Sequence, residues 1–185
     1  MDLFGAIQLQ QLAEVRRLLA AGVDPDACDA RGNPAIVVAL DAATFPGAGD
    51  PAVLHLLRDA GADSAPLEAA LHRMLAALPA RLARTHDDIG GQLLVLVPRL
   101  HAVVPDLGPA EREAVGTFAR DGQVFFADSD ALRAEATHLR DAFAGGTSDI
   151  DAAVDLLARA AGFELRATGL AIRMETLAHR FAPDR

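Results

Sequence analysis

His86-Asp87-Asp88-Ile89-Gly90 is the stretch of this 185-residue chain whose side chains come nearest to a reactive group. Adjacent imidazole and carboxylate groups can hold a divalent ion, and a held ion makes bound water nucleophilic near neutral pH. Further ligands would have to come from His55, His72, Asp121 or Asp128, and no spacing recommends any of them. Ordinary capping accounts for the same residues: Arg84-Thr85 reads as a loop in which Thr85 or Asp87 caps the following helix. The other histidines, His72, His101, His138 and His179, stand singly beside apolar stripes, and no HExxH pair occurs. Cys28 is the only cysteine, so neither an intramolecular disulfide nor a cysteine metal cluster can form, and no activating base is visible beside it. There is no lysine, which excludes the glycine-rich phosphate loop that ends in Lys-Ser/Thr. Asp149, Asp151 and Asp155, like Glu111 and Glu113, take the positions that the helix dipole and solvation favour, and spacing singles out no catalytic pair.

The elements that carry these residues announce themselves through a repeat. Ala13 to Asp24, AEVRRLLAAGVD, is echoed at Ala52 to Asp63 as AVLHLLRDAGAD, at an offset of 39 residues. Such recurrence marks stacked supersecondary units that cannot bury their apolar face alone. In each copy a helix carries Val15 and Leu18, or Leu54 and Leu57, on one side. Gly22 or Gly61 then stands where a helix end needs left-handed φ.

Leu18, Leu19, Gly22, Val23 and Asp24 resemble the close of an ankyrin repeat. Asp26, Ala27, Asp29 and Gly32 are similar to that family's finger loop, and Asn33-Pro34-Ala35-Ile36-Val37-Val38-Ala39-Leu40 to its next inner helix, with Pro34 at the first helical position. Leu3, Phe4, Ala6, Ile7 and Leu12 are spaced like the inner helix of a preceding repeat, with Gln10 in place of the usual glycine between helices. Thr44-Phe45-Pro46-Gly47-Ala48-Gly49 makes the second turn about six residues longer than expected. After Asp63 no finger follows, and Ser64-Ala65-Pro66-Leu67 leads straight into a helix. The resemblance covers residues 1-63, about two degenerate repeats, and implies a protein-binding module. Separately, His86-Asp87 resembles the adjacent ligand pair of the HD-type metal phosphohydrolases, an all-helical family, but departs from it in the preceding Arg84-Thr85 and the extra Asp88.

Composition narrows the function classes. Every basic side chain is arginine, and with abundant alanine this reads as codon bias of a high-GC bacterial genome. A formal net charge of −9 argues against nucleic acid, and the lack of Tyr and Trp removes most stacking platforms. The same charge would steer a basic protein toward the surface. Met1-Asp2-Leu3-Phe4 lacks the basic start of a secretory signal, so the cytoplasm is expected. Leu93-Leu94-Val95-Leu96-Val97, the longest apolar run, is far short of a membrane span and is expected in the core.

Residues 64-185 read as a helical capping domain that shares a core with the repeats. Leu67, Leu71, Met74, Leu75, Leu78 and Leu82 form one stripe, with a kink expected at Pro79. Leu93 to Val104 reads as a buried helix, with a strand for Leu93 to Val97 left open. Pro109 to Arg120 reads as a short helix ended by Asp121-Gly122, and Gln123 to Phe126 as a strand or packed loop. Leu132, Ala136, Leu139 and Phe143 form the next stripe, up to Gly145-Gly146. Ser148 with Asp151 resembles a capping box for a helix that ends at Gly162, and Leu170 to Phe181 forms the last helix. Whether this array continues the solenoid or folds as a bundle is open to spacing.

The fold class expected is therefore all-α, an ankyrin-like helical-hairpin solenoid continued or capped by a helical array or bundle. The function expected is non-catalytic binding of another protein, a basic one by charge, of the immunity or adaptor type, with no cofactor, nucleic acid or membrane. Contacts are expected at Asp26, Cys28, Ala30, Arg31 and Asn33 on the finger, at Val37, Leu40 and Asp41 on the inner helix, and at Phe45, either an exposed anchor or a plug packed back on the helices. The second class is a metal hydrolase built on His86 and Asp87. A third, a subunit of a larger assembly, would show an exposed apolar patch on the helical part.

Overall fold

The computed structural model describes residues 1-45 and 50-181. Among these the chain is all-α, with no strand. Seven helices follow in order: α1 (Leu3–Gln8), α2 (Leu12–Ala20), α3 (Ala35–Ala43), α4 (Ala52–Asp59), α5 (Ala65–Val103), α6 (Pro109–Ala144) and α7 (Ile150–Phe181). A 3-10 turn over Val104–Asp106 joins α5 to α6. No helix among the described residues is long and apolar enough to cross a membrane. The backbone divides into two compact units, one of residues 1-77 and 136-161, the other of residues 78-135 and 162-185.

In the first unit α1 packs on α2 and α3, while α4 packs on α3 and α2. The apolar spacing dictates which faces meet: Leu3, Ala6 and Ile7 of α1, Val15 of α2, Ile36, Ala39 and Leu40 of α3, and Leu54 and Leu57 of α4 are all buried. Asp2 caps α1, its carboxylate accepting from the Gly5 N–H at 2.8 Å. The repeated sequence produces repeated backbone. Gly22 (φ 86°) and Gly61 (φ 91°) end α2 and α4 in the left-handed region. The N–H one residue further, on Val23 or Ala62, returns to the carbonyl of Leu18 or Leu57. This is a Schellman closure. Gly146 (φ 84°) ends α6 in the same way, with Thr147 N–H on the Ala142 carbonyl. Gln10, in the turn where a glycine is usual, also has left-handed φ, 51°. Its side-chain amide donates to the Ala42 carbonyl at 2.7 Å and so ties the α1-α2 turn to the end of α3.

Several expectations are corrected, most of them in residues 64-185. α5 runs through Pro79 and Pro98 as a single helix, so His86-Asp87-Asp88 and Gly90-Gly91 are helical; Leu93 to Val97 is helical too, as the main reading expects, and the strand alternative falls. Thr85 bonds back to the Arg81 carbonyl and caps nothing. α6 continues through Asp121-Gly122 and Gln123 to Phe126, and α7 through Gly162. The cap of α7 is Asp149, whose carboxylate takes the Ala152 N–H at 3.0 Å; the Ser148 pair is not used. Pro34 precedes α3 as its N-cap, one residue outside the expected place. The physical reason is common to the long helices: a glycine costs only about 1 kcal/mol in a helix, and an unbroken apolar stripe outweighs it.

In the second unit the remaining parts of α5, α6 and α7 share one core, with Leu82, Ile89, Leu96, Leu100, Phe118, Phe125, Leu132, Phe163, Leu170 and Met174 buried. Phe125 stacks on Phe163 with ring centroids 4.5 Å apart. Ion pairs Glu111–Arg180, Asp121–Arg173 and Asp128–Arg166 fix the register of α6 against α7. Numbers rise on one helix as they fall on the other, so the two are antiparallel. Glu111 also closes the start of α6 by accepting the Gly108 N–H, ahead of Pro109 at the first helical position.

Glycines separate two mechanisms that stability measurements can tell apart. A Cβ on Gly162 or Gly169 would meet nothing within 4 Å. Gly162→Ala and Gly169→Ala are expected to stabilise the fold by about 0.5 to 1 kcal/mol each in urea unfolding. Gly61 has equal space but left-handed φ. Gly61→Ala is therefore expected to destabilise by about 1 kcal/mol. At Gln10 the turn strain and the side-chain bond oppose each other: Gln10→Gly should be near neutral, whereas Gln10→Ala should lose about 1 kcal/mol.

Candidate functional site

Between α2 and α3 the chain forms a finger. Asp29 N–H bonds the Asn33 carbonyl, Ala35 N–H bonds the Ala27 carbonyl, both at 2.9 Å, and Cys28 pairs with Pro34 in an isolated bridge. Gly32, at φ 82°, turns the tip. The Asp29 carboxylate accepts the N–H groups of Arg31 and Asn33 at 2.8 Å and the Asn33 amide at 3.0 Å. These bonds, the Asn33 side chain first, hold the Asp29 carboxyl below its ordinary value. At the base, Asp24 accepts the Asp26 N–H at 2.9 Å, and Asp26 accepts the Asp63 N–H at 2.7 Å, linking the finger to the turn after α4. Asp63 in turn accepts the Ala65 N–H at the start of α5.

The structure sorts the residues expected to make contacts. Ala30, Arg31 and Asn33 are exposed on the finger, and Arg31 makes no ion pair among the described residues. Cys28 is exposed and free. Asp26 is exposed, but its carboxylate is engaged by Asp63, which makes it a positioning residue. Val37 is half-buried on α3. Leu40 is fully buried, so it belongs to the core and not to the surface. Asp41 is exposed as a residue, yet burial around its carboxyl raises it above the ordinary value. Phe45 is 65% exposed, so it is not a plug packed back on the helices. Pro46 to Gly49 lie outside the described residues.

Sequence reasoning passed over Asp24, Asp29 and Asp63 as site residues, although Asp followed within a few positions by Gly and Asn is a recognisable turn signal.

The His86-Asp87 pair diverges. Successive helical residues point about 100° apart. Here His86 turns inward, its Nδ1 3.0 Å from the Oγ of buried Ser129 and its ring edge-on to Phe126 at 4.8 Å, while Asp87 is exposed. His72, His101, His138 and His179 are exposed. Among the described residues no group of three or more His, Cys, Asp or Glu side chains could hold a metal ion.

Leu93 to Val97 also departs from expectation. Leu96 is buried, but Leu94 (79%), Val95 (63%) and Val97 (46%) are exposed. Five consecutive apolar residues on a helix point all the way round it, so one core cannot take them all.

Because bonding holds the Asp29 carboxyl low, its contribution to finger order is fully present above the ordinary aspartate value of 3.8 and is lost as pH falls through the lower folded value. An NMR titration should show the Arg31 and Asn33 amides shifting together below that value, and Asp29→Asn should abolish the shared transition.

No protein-family model, curated protein or solved structure matches this chain, so its functional reading rests on its own residues.

Proposed function

We propose that the chain is a non-catalytic protein-binding module whose working surface is the finger and the adjoining face of α3. On this reading α1 to α4 are two stacked ankyrin-type hairpins, in keeping with the contacts of α1 with α3 and of α2 with α4. One observation carries the proposal: the finger is held by its own aspartates, so Ala30, Arg31 and Asn33 are displayed by a rigid loop that needs no contact at its tip. A preordered loop loses little conformational entropy when it binds.

Asp41 supports the same face. A carboxylate in the last turn of a helix opposes the dipole, and burial penalises its charge further. A residue placed against stability in this way is better explained by recognition than by folding. Asp24, Asp26, Asp29 and Asp41 outnumber Arg31 in this region, and a basic partner surface matches that balance. Phe45, exposed just past the end of α3, would supply an apolar anchor. Neutralising or regulating the partner, in the manner of an immunity protein or adaptor, is the role such a surface fits.

The test is quantitative affinity capture from the native cytoplasm, comparing the full chain with Arg31→Glu and Asp41→Asn. Both substitutions should cut recovery of a specific protein about tenfold or more, the loss of one good interface contact. Identical recovery with all three baits would reject this surface.

A further inference from the structure

From Ile89 to Pro105 the chain has no Asp or Glu, although it carries 26 acids in all. In the second unit this stretch of α5 turns Leu93, Leu96 and Leu100 toward its neighbours and leaves Gly91, Leu94, Val95, Val97, Pro98 and His101 exposed. A ridge this apolar on an otherwise acidic chain is a contact surface in need of a cover.

The order of charges along the ridge identifies the cover. Leu94, at 79% the most exposed large apolar side chain among the described residues, stands midway: Asp87 lies seven residues before it and His101 seven after. Seven residues are two helical turns, so the three share one face. Reversing the direction of such a ridge exchanges its acidic and basic ends. It is therefore complementary to itself in an antiparallel pair, which is the requirement of a two-fold interface.

We propose that a second copy of this chain docks on the α5 ridge, antiparallel, with Leu94 facing the partner's Leu94 across the two-fold axis. In that arrangement Asp87 meets the partner's His101, and Val97 lies near the partner's Gly91, where no side chain intervenes. A parallel pairing would instead set Asp87 against its own copy. One helix face from each chain is a small interface, so dissociation is expected at about 1 to 100 µM. The proposal is independent of the finger surface, since none of its residues lies on α1 to α4.

Sedimentation equilibrium of the full chain across that range tests it. The wild type should pass from monomer to dimer, and Leu94→Glu, which sets two carboxylates face to face at the axis, should remain monomeric with unchanged circular dichroism. Asp87→Arg and His101→Asp should each weaken association about tenfold, and the two together should restore it. In a Cys28→Ser background, Leu94→Cys should form a disulfide-linked dimer on oxidation, while Val124→Cys, at another exposed apolar position on α6, should not. A wild type that stays monomeric at the top of the range, a dimer that survives Leu94→Glu, or failure of the double exchange to restore association would each overturn the assignment.

Discussion

Backbone N–H groups outside a helix need acceptors, and from Val23 to Asn33 this chain draws several of them from aspartate side chains. Asp24, Asp26 and Asp29 take up N–H groups at Asp26, Asp63, Arg31 and Asn33. An unsatisfied N–H costs more than a made bond returns, so these carboxylates decide whether the segment has a shape at all. The constraint accounts for the local density of acid. Asp24, Asp26, Asp29 and Asp63 are folding residues by their bonds, and the remaining exposed groups, Ala30 and Arg31 above all, are left for other uses.

The rest of the chain meets a different constraint. α5, α6 and α7 are long because continuous stripes of Leu, Ala and Phe bury more free energy than scattered Gly and Pro residues remove. Within the second unit the apolar core is bordered by arginine-carboxylate pairs. Arg81 Nε lies 2.6 Å from Glu164 Oε1 with both atoms shut off from solvent, and Arg166 and Arg173 reach carboxylates on α6. Partly exposed pairs of this kind add little stability, but like charges set opposite would be penalised, so they specify register.

Much of this was legible in the residues. The Gly22 and Gly61 helix ends and the start of α6 at Pro109 follow from local stereochemistry that neighbours do not override. The all-helical class followed from apolar spacing. What could not be read was continuity: Asp121-Gly122 and Gly162 carry the same letters as true helix ends, and only tertiary packing distinguishes them. Leu40 and Leu94 lie in the places opposite to those expected, for a related reason. Leu40 follows Val37 by three residues and is expected on one surface with it, yet it is buried. Leu94 lies in an apolar run and is expected in the core, yet it faces outward. Composition gives the mean environment of a segment, whereas the phase of the helix decides each residue.

Cys28 lies in the finger itself, exposed and with no second thiol in the chain. A maleimide fluorophore or spin label would therefore attach at one defined point without mutagenesis. Since the chain has no Trp or Tyr to contribute background emission, it comes ready for single-site spectroscopy.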